Sequence, residues 1–126
     1  MSGFTVGRLD HVNITTPAEL AEAVLAWYDE CLGLERVEKL EGTTDTGGWF
    51  KVGDAELHVS EDEHNPSHGA HFALVVDDFD AAVGRLPDAR CHLEQARPIP
   101  GRRRCFTRDP AGNSIEILSL DGGASA

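Results

Sequence analysis

The sequence predicts an α+β fold built from two βαβββ repeats that form a curved mixed sheet, and three observations predict it. Strand-like alternation opens each half, over residues 8–16 and 70–77. A helix signal follows each opening strand, and three shorter strand signals follow each helix. A histidine, His11 in one half and His71 in the other, occupies the same place in each opening strand. The chain is read as one domain over 1–126, with repeats at 8–60 and 69–120.

The elements follow in order. In RLDHVNITT, Leu9, His11, Asn13 and Thr15 share one face, and Val12 and Ile14 share the other. Thr16-Pro17-Ala18-Glu19 reads as a helix start, with Thr16 as N-cap. Leu20, Val24, Tyr28 and Cys31 form the apolar stripe, with Trp27 beside them, and Gly33 is the C-terminal stop. A strand near 35–40, a polar loop and two strands near 48–53 and 55–60 complete the half. In the second half AHFALVVD is the best strand. Asp78-Phe79-Asp80 opens a short helix ending near Leu86-Pro87. Strands near 90–96, 102–108 and 114–120 follow, the last two separated by the turn Asp109-Pro110-Ala111-Gly112-Asn113.

Composition excludes several function classes. Twenty-two acids against eleven bases give a charge of −11, which repels nucleic acid and anionic membranes. No apolar run approaches a membrane span, and the first residues lack the apolar run expected of a secretory signal. Three cysteines without a Cys-x-x-Cys pair point away from a zinc knuckle or thioredoxin-type site and towards a reducing cytoplasm.

Alternation places chemistry on one face. His11 and His71 point away from the helices. In AELHVS, Glu56 and His58 lie opposite Ala55, Leu57 and Val59; in NSIEILSL, Glu116 lies opposite Ile115 and Ile117. Imidazole with carboxylate is a ligand set for zinc, nickel, manganese or iron(II). One strand histidine alone is more often a hydrogen-bonded structural residue, and Glu116 could sit on a solvated sheet face. Four such residues at matching places in two repeats carry more weight.

With LDHV at the start, AHFALVVDD at the midpoint and RDPAGNSIEIL at the end, the chain resembles the vicinal oxygen chelate superfamily over about 8–120. That superfamily includes glyoxalase I, methylmalonyl-CoA epimerase, fosfomycin-resistance transferases, extradiol dioxygenases and bleomycin-binding proteins. The resemblance implies metal positions at His11, His71 and Glu116, enclosing a metal cavity. The fourth position falls on His58 if Leu57-His58-Val59 is set against Ile115-Glu116-Ile117. It falls on Glu56 if the preceding turns are equal in length; they are not, so His58 is preferred.

The resemblance further implies one divalent metal per chain and a small oxygen-rich substrate held through two adjacent oxygens. An enolate would be stabilised by the metal, and Glu116 or Glu56 would move the proton. This describes a glyoxalase- or epimerase-like lyase or isomerase. The alternatives are an extradiol-type iron dioxygenase and a non-catalytic drug-binding resistance protein. Small members of the superfamily commonly pair, so a homodimer is expected.

Other residues are weaker candidates. Arg102, Arg103 and Arg104 are a basic cluster in an acidic chain. Arg103 is the candidate to hold a substrate carboxylate or phosphate, against the alternative of a charged edge strand. Trp49 is a candidate pocket wall or a core residue. His64 and His68 read as loop residues, and Cys91 and Cys105 as small apolar side chains.

Overall fold

The computed structural model describes residues 3–43, 46–66, 69–86 and 92–120. His68 and Cys91 therefore lie outside the described residues. The first half runs β1 (His11–Thr16), α1 (Ala21–Glu30), β2 (Glu35–Val37), β3 (Gly48–Val52) and β4 (Ala55–Glu61). The second runs β5 (His71–Val75), α2 (Phe79–Arg85), β6 (His92–Gln95), β7 (Arg103–Arg108) and β8 (Ser114–Ser119). This is βαβββ twice, as the alternation predicts.

Each half folds into its own four-stranded mixed sheet, ordered β1-β4-β3-β2 and β5-β8-β7-β6. The first strand of each half runs parallel to the fourth, and the remaining pairs are antiparallel. A parallel pair needs a long crossover, which α1 or α2 with two strands supplies. Strands β1 and β5 are therefore both sheet edges, and a cleft of about 270 Å³ lies between them, walled by Val12, Ile14, Phe72 and Asn113.

The first helix departs from its predicted start. Thr16 is still paired with Glu61 in the β1–β4 ladder, and its fully buried hydroxyl donates to the Pro17 carbonyl at 3.0 Å. It therefore caps nothing. Pro17 is extended, and Ala18–Leu20 forms a 3₁₀ turn before α1 begins. The second helix has the cap that the first lacks: Asp78 accepts from the Ala81 amide at 3.0 Å. Gly33 adopts φ +67, the left-handed conformation that ends α1, while the Leu34 amide reaches back to the Tyr28 carbonyl.

One apolar cluster spans both halves. Val24, Trp27 and Tyr28 of α1, with Cys31 just after it, meet Phe50, Leu57 and Val59 of the first sheet and Cys105, Ile115 and Ile117 of the second. Burying each of the larger side chains stabilises by about 1.5–3 kcal/mol. A polar clasp joins the halves within this core. Tyr28 donates its hydroxyl to Asp109 Oδ2 at 2.7 Å. Burial, then the Asp109 charge and hydrogen bond, pushes the Tyr28 hydroxyl pKa well above its ordinary value. Asp109 also accepts from the Ala111 and Asn113 amides and from Asn113 Nδ2, so this buried carboxylate is fully partnered. Asn113 Nδ2 also contacts the Thr15 carbonyl of β1. The Asp-Pro-x-Gly-Asn turn thus ties the second half to the first.

Candidate metal centre

The ladder registers compare the halves directly. His11 is opposite Glu56 in β4, and His71 is opposite Ser114 in β8. Two residues further along, His58 and Glu116 are counterparts. Their antiparallel partners agree, since Trp49 is opposite His58 and Phe106 is opposite Glu116. His11, His58 and Trp49 form one half-site, and His71, Glu116 and Phe106 form the other.

In the first half-site three rings stack. His58 lies 3.8 Å from Trp49 with planes 3° apart, and 4.0 Å from His11 on its other side. Trp49 is thus an open-face residue, while its neighbour Phe50 enters the core. Its indole Nε1 is buried without a hydrogen-bond partner among the described residues. Each imidazole has one nitrogen engaged. His58 Nε2 is 2.8 Å from Glu56 Oε1, and His11 Nδ1 is 2.9 Å from Asp10 Oδ2. The His11 hydrogen bond draws the Asp10 carboxyl below the usual carboxylate range, with the Arg8 charge adding to the effect. A cleft of about 420 Å³ opens here, lined by Arg8, Asp10, His11, Trp49, Glu56 and His58 among others.

The second half-site is built on charge. Glu116 is 7% exposed, and burying a carboxylate demands a strong partner. That partner is Arg104, whose Nε donates to Oε2 at 2.9 Å, while Oε1 faces His71 Nε2 at 3.3 Å. His71 Nδ1 is 3.2 Å from the Gly69 carbonyl. A carbonyl only accepts, so the proton belongs on Nδ1 and the lone pair on Nε2. Phe106 meets the His71 ring edge-on at 5.0 Å.

Imidazole and carboxylate are the donor types that divalent metals take. Metal-ligating histidines keep their second nitrogen hydrogen-bonded to a carboxylate or carbonyl, as Asp10, Glu56 and the Gly69 carbonyl do for His11, His58 and His71. Each half-site offers two donors. Among the described residues no three His, Cys, Asp or Glu side chains converge on one metal position.

Of the arginine cluster, Arg104 stands at the half-site and Arg103 does not. Arg103 points to the helix side, where it forms a two-pronged pair with Asp80 at 2.7 and 3.1 Å and lies 4.7 Å from the Phe79 ring. That pairing draws the Asp80 carboxyl below its usual range. The structure thus corrects the expectation that Arg103 faces the cavity: strand alternation puts it on the face of Cys105, and Arg104 on the face of Phe106. Alternation from Phe106 and Glu116 was the available signal. His64 is a structural bridge, reaching Thr15 Oγ1 at 2.7 Å and the Ala111 carbonyl at 2.6 Å.

The comparisons accord with this architecture. The family model for the Glyoxalase/Bleomycin resistance protein/Dioxygenase superfamily matches residues 8–117. The chain belongs to that superfamily, whose members include both enzymes and non-catalytic binding proteins. It is similar to a protein of Bacillus anthracis assigned to the glyoxalase family: 30% identity, TM-score 0.85, covering 95% of this chain and 99% of that one. It is also similar to a lactoylglutathione lyase of Agrobacterium tumefaciens: 28% identity, TM-score 0.67, covering 90% and 94%. An antibiotic-binding protein of Streptomyces sp. CB03234 shares the fold at 20% identity and TM-score 0.71, covering 93% of this chain and 98% of that one. No curated protein sequence matches significantly. No helix among the described residues is long and apolar enough to cross a membrane.

Proposed function

We propose that the chain is a divalent-metal-dependent lyase or isomerase of the glyoxalase and epimerase type, acting on a small oxygen-rich substrate. One observation carries the reading: all four candidate ligands are held from behind by a neighbouring group. Asp10 holds His11, Glu56 holds His58, the Gly69 carbonyl holds His71 and Arg104 holds Glu116. His58 is preferred to Glu56 as a ligand, because the register sets it opposite Trp49 as Glu116 is set opposite Phe106.

Zinc, nickel, manganese or iron(II), when bound, supplies Lewis-acid polarisation of a substrate carbonyl. Glu116 moves the proton next to that carbonyl, accepting and returning it at Oε1, the oxygen that Arg104 leaves free. Trp49 walls the cleft and limits water beside the imidazoles. Two donors per half-site support a homodimer in which the first half-site of one copy meets the second half-site of the other. The buried thiols of Cys31 and Cys105 are in keeping with a reducing cytoplasm.

Elemental analysis of the purified chain tests the reading, followed by proton–deuterium exchange at carbons next to a carbonyl in candidate substrates. About one divalent metal per chain, lost in His71→Ala and Glu116→Ala, is expected. Iron with oxygen uptake on catechols would instead mark a ring-cleaving dioxygenase. The second reading, a ligand-binding protein without turnover, draws on the Trp49–His58–His11 stack beside an open cleft. A chain that takes up no metal yet binds planar aromatic drugs would establish it.

A further inference from the structure

We propose that Arg104 is the positioning residue that presents Glu116 to the metal through a single oxygen; the inference rests on the metal reading above. The guanidinium is anchored on three sides. Its Nε donates to Glu116 Oε2 at 2.9 Å, its Nη1 donates to the Arg97 carbonyl at 2.6 Å, and its Cζ lies 5.3 Å from the Phe106 ring centre. Both members of the ion pair are largely buried, at 13% and 10% side-chain exposure. Few positions are open to Glu116 while this pair holds.

The remaining oxygen is already placed for ligation. Oε1 lies 3.3 Å from His71 Nε2. Two donors sharing one zinc-like ion, each bonded at about 2.0–2.2 Å, stand about 3–3.5 Å apart. Oε1 and Nε2 thus stand at the spacing that two ligands of one such ion would have. Ligation through both oxygens would require Oε2 to leave Arg104, stranding a buried guanidinium without its partner. Single-oxygen ligation keeps a coordination position open for substrate. It also lets Oε1 be released more readily than a two-oxygen clamp when that atom takes up a proton.

The first half-site has no such device. Two residues before Phe106 stands Arg104; two before Trp49 stands Gly47. Gly47 has φ +98, and a side chain there would collide with the Val59 carbonyl. A guanidinium is present where the candidate ligand is a two-oxygen carboxylate. Where the counterpart is His58, whose ring offers one nitrogen once Glu56 holds the other, it is absent.

Cobalt(II) titration of the metal-free full chain tests this, reading affinity by chelator competition and coordination number by visible absorption. Arg104→Gln is expected to weaken cobalt affinity about 10–100-fold. It is also expected to lower the absorption intensity, as Glu116 closes on the metal with both oxygens and the coordination number rises. Arg104→Lys keeps a cation and should recover part of the affinity, with an absorption between the two; it serves also if the Gln variant fails to fold. If wild type binds cobalt and Glu116→Ala abolishes that binding, but Arg104→Gln and Arg104→Lys match wild type in affinity and spectrum, the inference is overturned and the metal reading stands. If wild type takes up no cobalt, both are overturned.

Discussion

The two half-sites share a register and differ in chemistry. In the first, rings stack face to face, and acids stand behind two imidazoles. In the second, a carboxylate is held by a guanidinium and faces an imidazole, with one ring set edge-on. The βαβββ module fixes where a side chain stands. What stands there decides whether the place is a polarisable surface or an electrostatic clamp. A stacked ring pair is worth about 0.5–1.5 kcal/mol beyond the area it buries, whereas removing one partner of a buried ion pair costs about 3–5 kcal/mol.

Removing that partner gives the largest expected effect. Glu116→Ala leaves Arg104 buried and unpaired, so we expect about 3 kcal/mol lost from the metal-free chain, together with loss of metal binding. Urea unfolding of metal-free protein checks this. A variant as stable as wild type would show that the pair is not a clamp.

The join between the halves is the next test. Tyr28→Phe removes a buried hydrogen bond to the Asp109 carboxylate and should cost about 1.5–3 kcal/mol. The raised Tyr28 pKa gives this difference a sign. Above about pH 10, where unfolded tyrosine ionises, the unfolded state binds fewer protons than the native state, so wild-type stability falls. The gap between wild type and Tyr28→Phe should hold steady from pH 7 to 9 and narrow above about 10. A gap that widens there would overturn the assignment.

A smaller effect separates ligand from holder in the first half-site. His58→Ala should weaken metal affinity more than Glu56→Ala, with the latter costing roughly tenfold as a lost outer partner. Calorimetric titration of both variants checks the order, and the reverse order would move the ligand to Glu56. The smallest effect belongs to Arg103→Gln. Because its guanidinium is committed to Asp80 on the helix side, metal affinity should change less than about twofold, within the range of ordinary surface substitutions. A loss matching that of Arg104→Gln would return Arg103 to the site.

Alternation alone was enough to separate Val12, Ile14, Phe72, Leu74, Ile115 and Ile117 from His11, His58, His71 and Glu116, because strand side chains alternate faces and each sheet has one face on the core. Turn chemistry placed Gly33 and the Asp109–Asn113 segment for the same kind of local reason. Three things depended on contacts between residues distant in sequence. The β1–β4 and β5–β8 registers made His58 the counterpart of Glu116. Alternation set the faces of Arg103 and Arg104, but only the fold supplied their partners, Asp80 and Glu116. The ladder to Glu61 kept Thr16 from capping its helix. Local periodicity specifies a face; which partner a side chain finds on that face depends on strand register and on the charges of neighbouring elements, and the chain must fold before either exists.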